Sequence, residues 1–236
     1  MLCRRGSVLA ASGTGRATLQ RAPKKSLGQH FLRDRNILGA VADAAEVGSD
    51  DLVVEVGSGE GTLTNVIAER ARRVVAIELD PDLAERLAIE VPANVEVIQT
   101  DARRVDPERL LGECLPYKLV GNLPYYAAMP ILRAFLESSC RPRAAAVLVQ
   151  REVAQQLCSG PGTMSLASLG VQIFGNPRIT RTVKPGSFRP PPKVFSSVVA
   201  IDVYDSPAAD IDDTGSFFEL ARAAFSAPRK QLRNAL

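Results

Sequence analysis

The chain has 236 residues, of which 46% are hydrophobic and 23% charged. That is enough for one α/β domain with a sizeable core, and the composition is that of an ordinary globular protein. No apolar run approaches the roughly 20 residues of a membrane-spanning helix, and a single histidine, His30, argues against His-based acid–base or metal chemistry.

The net charge of +3 is unevenly placed. Residues 1–33 carry seven Lys or Arg and no acid, and after Glu219 come Arg222, Arg229, Lys230 and Arg233, again with no acid. Basic ends on a nearly balanced body suit a polyanionic partner touched at the edges, and suit plain solubilising tails equally well. Cys3, Cys114, Cys140 and Cys158 show no C-x-x-C spacing, so neither a zinc site nor a disulfide framework is expected, and a reducing compartment is the simplest reading. Residues 1–22 are Arg-, Ser- and Ala-rich. They read as a disordered extension of a cytoplasmic protein, with a mitochondrial presequence as the alternative.

Apolar residues alternate between strand-like and helix-like periods along the chain. Residues 52–56 form a β-rich run, a glycine-rich turn follows, and 62–71 read as a helix. A second strand at 74–77 ends at Glu78, and Pro81 opens a helix over 82–90. A third strand at 95–98 ends near Asp101, and a fourth spans 117–121. Pro130 starts a helix to about 136, a wholly apolar strand covers 144–149, and 151–157 are helical. Residues 158–175 read as a loop and a short helix. Strands at 179–183 and 198–203 flank a Pro-rich loop, and 217–225 form a helix. The alternation predicts parallel βαβ units, the apolar strands a sheet covered on both faces, and the last two strands an antiparallel edge hairpin.

Glu55-Val56-Gly57-Ser58-Gly59-Glu60-Gly61 lies where the first strand meets the first helix. Glycines there permit positive φ and close approach of a ligand to the backbone. The spacing G-x-G-x-G departs from the dinucleotide fingerprint G-x-G-x-x-G, and Glu55 and Glu60 are expected to repel a pyrophosphate. The loop therefore favours S-adenosylmethionine over NAD, with a tight strand–helix turn as the bland alternative. Glu78, about twenty residues on, can accept from both ribose hydroxyls. Asp101 is placed to accept from the adenine amine of the cofactor.

Asn122-Leu123-Pro124-Tyr125 follows the fourth strand. Such a tetrapeptide can hold a planar exocyclic amine between a side-chain amide and a backbone carbonyl, with an aromatic ring beside it. The same residue types also spell an ordinary loop turn.

In combination the motifs resemble the ribosomal RNA adenine N6,N6-dimethyltransferases (KsgA type). The resemblance is carried by Lys24-Lys25-Ser26-Leu27-Gly28-Gln29-His30-Phe31-Leu32, by the glycine loop and by Asn122–Tyr125. It is carried further by Phe188-Arg189-Pro190-Pro191-Pro192-Lys193-Val194 with Ser196-Ser197, and by Arg229-Lys230-Gln231-Leu232-Arg233-Asn234. It covers roughly residues 23–236.

The resemblance implies a Rossmann-like α/β methyltransferase fold with a mostly parallel seven-stranded sheet. The methyltransferase domain is expected over 23–205 and the start of a helical RNA-binding domain over 206–236; because relatives continue further, the chain resembles a truncated form. It implies S-adenosylmethionine contacts at His30, Leu32, Gly57, Gly59, Glu78, Asp101 and Asn122. Position 30 is often Asn in relatives, and His30 is expected to donate to the methionine carboxylate instead. Ala128 and Met129 replace the Ser/Thr residues of relatives, removing a side-chain helix cap worth about 1 kcal/mol. Met164-Ser165 stand where relatives often carry Tyr-Gly.

On this reading Asn122 Oδ1 and the Leu123 carbonyl accept the two N6 hydrogens of adenine, Pro124 shapes the turn, Tyr125 stacks on one face of the base and Phe188 closes the other. Lys24, Lys25, Arg33, Arg229, Lys230 and Arg233 are the candidate phosphate contacts. The expected partner is ribosomal RNA in a small-subunit assembly particle, met by a monomer with no metal and no membrane. The alternatives are an Erm-like methyltransferase of large-subunit RNA, a DNA or protein amide methyltransferase, and a non-catalytic RNA-binding or ribosome-assembly factor on the same fold.

Overall fold

A computed structural model describes residues 29–211 and 213–226. Its centre is a seven-stranded sheet built from β2 (Leu52–Val56), β3 (Arg73–Glu78), β4 (Val95–Gln99), β5 (Lys118–Asn122), β6 (Ala144–Gln150), β7 (Gly175–Val183) and β9 (Ser196–Val203). The order is β4-β3-β2-β5-β6-β9-β7, and β9 alone runs against its neighbours. The expected edge hairpin is present, with β9 inserted between β6 and the edge strand β7. The switch from β2–β3 to β2–β5 pairing opens a crevice at the carboxyl ends of the strands, where α/β sheets bind ligands.

Helices α2 (Thr62–Ala68), α3 (Pro81–Glu90), α5 (Ala128–Leu136), α6 (Arg151–Leu157) and α7 (Leu166–Gln172) follow where the apolar period changes from two to nearly four. The short α4 (Pro107–Leu111) was not anticipated. Asp80 and Asp106 cap α3 and α4 ahead of a proline at the first helical position. Helix α5 begins at Ala128, ahead of the expected start at Pro130, so Ala128 and Met129 are its first two residues and the uncapped position is Ala127, which makes no side-chain bond.

A further helix, α1 (Arg35–Ala44), lies outside the predicted elements. Asp34 caps it by accepting from the Asn36 N–H, and Ile37, Leu38, Val41 and Ala42 form its buried stripe. One core cluster lies between α1, α2 and the sheet; the other holds α5, α6 and α7 on the opposite face. Helix α8 (Thr214–Ser226) is fastened to the second cluster by Phe218, which is 3% exposed and lies beneath the Arg133 guanidinium.

Two further strands position the site. β1 (Phe31–Leu32) pairs antiparallel with β8 (Phe188–Arg189), joining segments far apart in the chain through Phe31↔Arg189 and Leu32↔Phe188. The Thr62 hydroxyl donates to the Leu32 carbonyl at 2.8 Å, and the Arg33 N–H donates to Ser187 at 3.0 Å. The N-terminal motif, the first helix after the glycine loop and the proline-rich loop are thereby tied together over the crevice.

Cys114 and Cys140 are joined as a disulfide, contrary to the expectation of unpaired thiols. No spacing rule connects two cysteines 26 residues apart; the end of α5 and the loop before β5 bring them together. Among the described residues no helix is long and apolar enough to cross a membrane.

Candidate active site

The cavity at the switch point is lined by Gln29, His30, Phe31, Gly57, Gly59, Glu78, Asp101, Arg103, Asn122, Leu123, Pro124, Tyr125 and Tyr126, on an apolar floor of Val56, Ile77, Leu79 and Ile131. Four motifs far apart in the chain therefore converge on one space.

Gly57 and Gly59 take φ of +77° and +54°, which glycine adopts without a Cβ penalty. A Cβ on Gly57 would stand 3.0 Å from the Asn122 carbonyl oxygen, so the absence of a side chain is what lets the loop meet the end of β5. Glu78 is 7% exposed, and both its oxygens are used: Oε2 accepts from the Gly59 N–H at 2.7 Å and Oε1 from the Asp80 N–H at 2.8 Å. Burial raises its pKa, and these backbone donors oppose the rise. Glu78 thus holds the glycine loop from a position on the cavity wall. Asp101 is gripped by Arg103, whose Nε donates at 2.9 Å and Nη2 at 2.6 Å, and this partner keeps its pKa low.

The Asn122 side-chain nitrogen donates to the His30 carbonyl at 2.9 Å. A carbonyl only accepts, so the amide is oriented and Oδ1 is the atom left for a ligand. The Leu123 N–H donates to the Leu148 carbonyl at 3.1 Å, and the Ala127 N–H to the Pro124 carbonyl at 2.9 Å, fixing the tetrapeptide between strand and turn. The Tyr125 ring stacks on His30 with centroids 5.6 Å apart, and its hydroxyl bonds Ser196 Oγ at 2.9 Å. Burial raises the Tyr125 pKa. His30 Nδ1 donates to the Pro190 carbonyl at 2.8 Å.

Several of the expected residues sit elsewhere than in the cavity lining, and the two acids of the glycine loop differ from expectation. Leu32 is 2% exposed in the core and does not line the cavity; side chains alternate along a strand, and its neighbour Phe31 faces the glycine loop instead. Phe188 is 5% exposed within the same core cluster and is not on the cavity wall, because its pairing with Leu32 turns it inward. Glu55 is fully buried, aligned with Val53 on the α1–α2 side of the sheet, and its pKa is raised to about 8 by burial. The Thr64 hydroxyl faces it without closing a well-formed hydrogen bond. Near neutral pH Glu55 carries little charge, and Glu60 is paired with Arg33 at 2.5 Å. Neither acid therefore repels an anion as sequence analysis supposed; the preference for a sulfonium cofactor rests on Glu78, Asp101 and the loop. Arg33, a candidate phosphate contact, forms that pair with its own side chain 40% exposed. Lys24, Lys25, Arg229, Lys230 and Arg233 lie outside the described residues.

Gln29, Phe31, Arg103 and Tyr126 line the cavity but were not singled out as site residues. Gln29 lies inside the N-terminal motif, and Tyr126 directly follows the tetrapeptide, so adjacency was the available signal.

A methyl donor built from a nucleoside and an amino acid fits these residues: an apolar floor, two carboxylates at successive strand ends, and a backbone cradle that a Cβ at Gly57 would crowd. Such a cavity beside an oriented amide fits the amino-methyltransferase class. The ribosomal RNA adenine dimethylase family matches residues 21–236, and the chain belongs to that family.

Its relatives include the ribosomal RNA small subunit methyltransferase A of Dehalococcoides mccartyi (strain CBDB1), 41% identical over 90% of this chain and 74% of that protein. The enzyme of the same name from Alkaliphilus oremlandii is 42% identical over 90% of this chain and 76% of its own length. Among solved structures, a dimethyladenosine transferase from Plasmodium falciparum aligns with a TM-score of 0.74 and 26% identity, covering 87% of this chain and 74% of that one. The 23S rRNA methyltransferase ErmE aligns with 0.73 and 27%, covering 87% and 82%.

Proposed function

We propose that this chain dimethylates adenine N6 in small-subunit ribosomal RNA, drawing methyl groups from S-adenosylmethionine, as part of ribosome biogenesis. The observation that carries the reading is the orientation of Asn122: its nitrogen is bound by His30, which leaves its oxygen for a ligand in the cavity that Asn122 lines. Support for the small subunit comes from relatives near 40% identity that carry that name over nine-tenths of the chain.

Bound between the glycine loop, Glu78 and Asp101, S-adenosylmethionine would supply an electrophilic methyl group on a sulfonium. The rest of the work belongs to the protein. The N6 amine of adenine is a poor nucleophile because its lone pair is delocalised into the ring. Asn122 Oδ1 and the Leu123 carbonyl accept its two hydrogens and favour a pyramidal nitrogen with its lone pair turned toward the donor. Orientation and fixed dipoles lower the barrier; no strong general base is required, and the surplus proton leaves to solvent. His30 holds Asn122 through its backbone and Tyr125 through its ring.

The Erm-like reading is favoured by one observation, the similar TM-score of a 23S enzyme. Offering undermethylated small-subunit particles and large-subunit RNA side by side, with labelled methyl donor, separates the two. Label in the small-subunit RNA supports the proposal; label in the large-subunit RNA overturns it.

A further inference from the structure

We propose that Phe195 and Arg151 form a stacking platform for the nucleotide next to the target adenine. This rests on the adenine-methylating reading above and deepens it. Phe195 closes the proline-rich loop one residue before β9, and that next residue, Ser196, holds the Tyr125 hydroxyl at 2.9 Å. Its backbone therefore lies one residue from the group that holds Tyr125. Ser196 is paired with Gln150, the last residue of β6, and the Arg151 N–H donates to the Phe195 carbonyl at 3.0 Å. Both residues thus sit at the end of the sheet that carries the catalytic tetrapeptide.

The Phe195 side chain stays out of either core, with the residue 37% exposed. The Arg151 guanidinium lies 5.2 Å from the ring centroid, a cation–π arrangement. Its contact with Glu152 is loose, 3.6 Å between two exposed side chains, so the cation is available to a phosphate as well. Lys193, two residues upstream, is exposed too.

An adenine presented to the amine site has left its stack, and its neighbours lose a stacking partner with it. An accessible aromatic ring backed by an arginine offers them a replacement, the combination by which proteins hold unstacked bases. The loop supports this: three consecutive prolines limit its freedom, and backbone bonds tie both ends to strands.

The test compares wild type, Phe195→Leu, Phe195→Trp and Arg151→Ala as full chains in methyl transfer to undermethylated small-subunit particles. Cofactor affinity and melting temperature are measured in parallel. Phe195→Leu is expected to lower kcat/KM for the particle about 10-fold, with cofactor affinity and melting temperature unchanged, and Phe195→Trp to stay within about twofold of wild type. Arg151→Ala is expected to weaken transfer and to flatten its salt dependence by about one phosphate contact.

Wild-type transfer by Phe195→Leu overturns the platform, as does equal impairment of the Leu and Trp variants. A loss matched by lost cofactor affinity overturns it as well, since that is the mark of a structural role. Absence of transfer by the wild-type protein instead overturns the adenine reading, and the platform with it.

Discussion

Asn122 and His30 are joined by a side-chain-to-backbone hydrogen bond of 2.9 Å across 92 residues of chain. This bond decides which end of the amide faces the cavity. Asn122→Ala removes the acceptor and is expected to lower kcat about 100-fold or more, the scale of a lost transition-state hydrogen bond. Asn122→Asp keeps an oxygen for the amine but sets a second oxygen against the His30 carbonyl. It is expected to be as impaired as the Ala variant. Single-turnover methyl transfer measures both, and near-wild-type rates for the Asp variant would contradict the orienting role of His30.

Glu78 bears on the cofactor through the glycine loop. Glu78→Gln replaces one acceptor by a donor, so the Gly59 or the Asp80 N–H loses its partner, at about 1–3 kcal/mol. Calorimetry should show cofactor affinity reduced about 10-fold or more. Unchanged affinity would mean that the loop does not depend on this carboxylate.

Gly57 couples cofactor loop and tetrapeptide. Gly57→Ala forces a side chain into left-handed backbone, costing about 1–2 kcal/mol, and puts a methyl 3.0 Å from the Asn122 carbonyl. Stability measured by denaturant should fall by that amount, and both cofactor affinity and turnover should fall with it. Loss of affinity with turnover intact at saturating cofactor would separate the two motifs.

Glu55 gives a pH signature. Its folded pKa is raised to about 8 from an ordinary 4.5, so the native state keeps a proton that the unfolded chain has released across that window. Stability from this group is fully present below the unfolded value and declines as pH rises, by up to about 1.4 kcal/mol per pH unit, levelling off above the folded value. Glu55→Gln removes the titration. Denaturation curves of wild type and variant should diverge from about pH 5 to about pH 8, with the variant the more stable at the upper end; parallel curves would contradict a buried, protonated Glu55.

The parts of this molecule legible in the sequence were those fixed by local pattern. The bounds of β2 and α6 follow from apolar period alone, and Glu78 and Asp101 were found because strand ends in this fold class face one crevice. Contacts that join distant segments were not legible. The two-residue pairing of β1 with β8 has no periodicity to read, yet it turns Leu32 and Phe188 into the core and leaves Phe31 at the site. The Cys114–Cys140 bond depends on packing in the same way. Helix α1 did carry a signal, Asp34 followed by Ile37, Leu38, Val41 and Ala42 at helical spacing.

The most direct test of the central claim is to incubate the chain with undermethylated small-subunit particles and isotopically labelled S-adenosylmethionine, digest the RNA, and identify the labelled nucleoside by mass spectrometry. The account predicts adenosine carrying two labelled methyl groups on N6, formed about 100-fold more slowly, or slower still, by Asn122→Ala. Label on any other atom or base, or equal product from the Asn122→Ala variant, would contradict it.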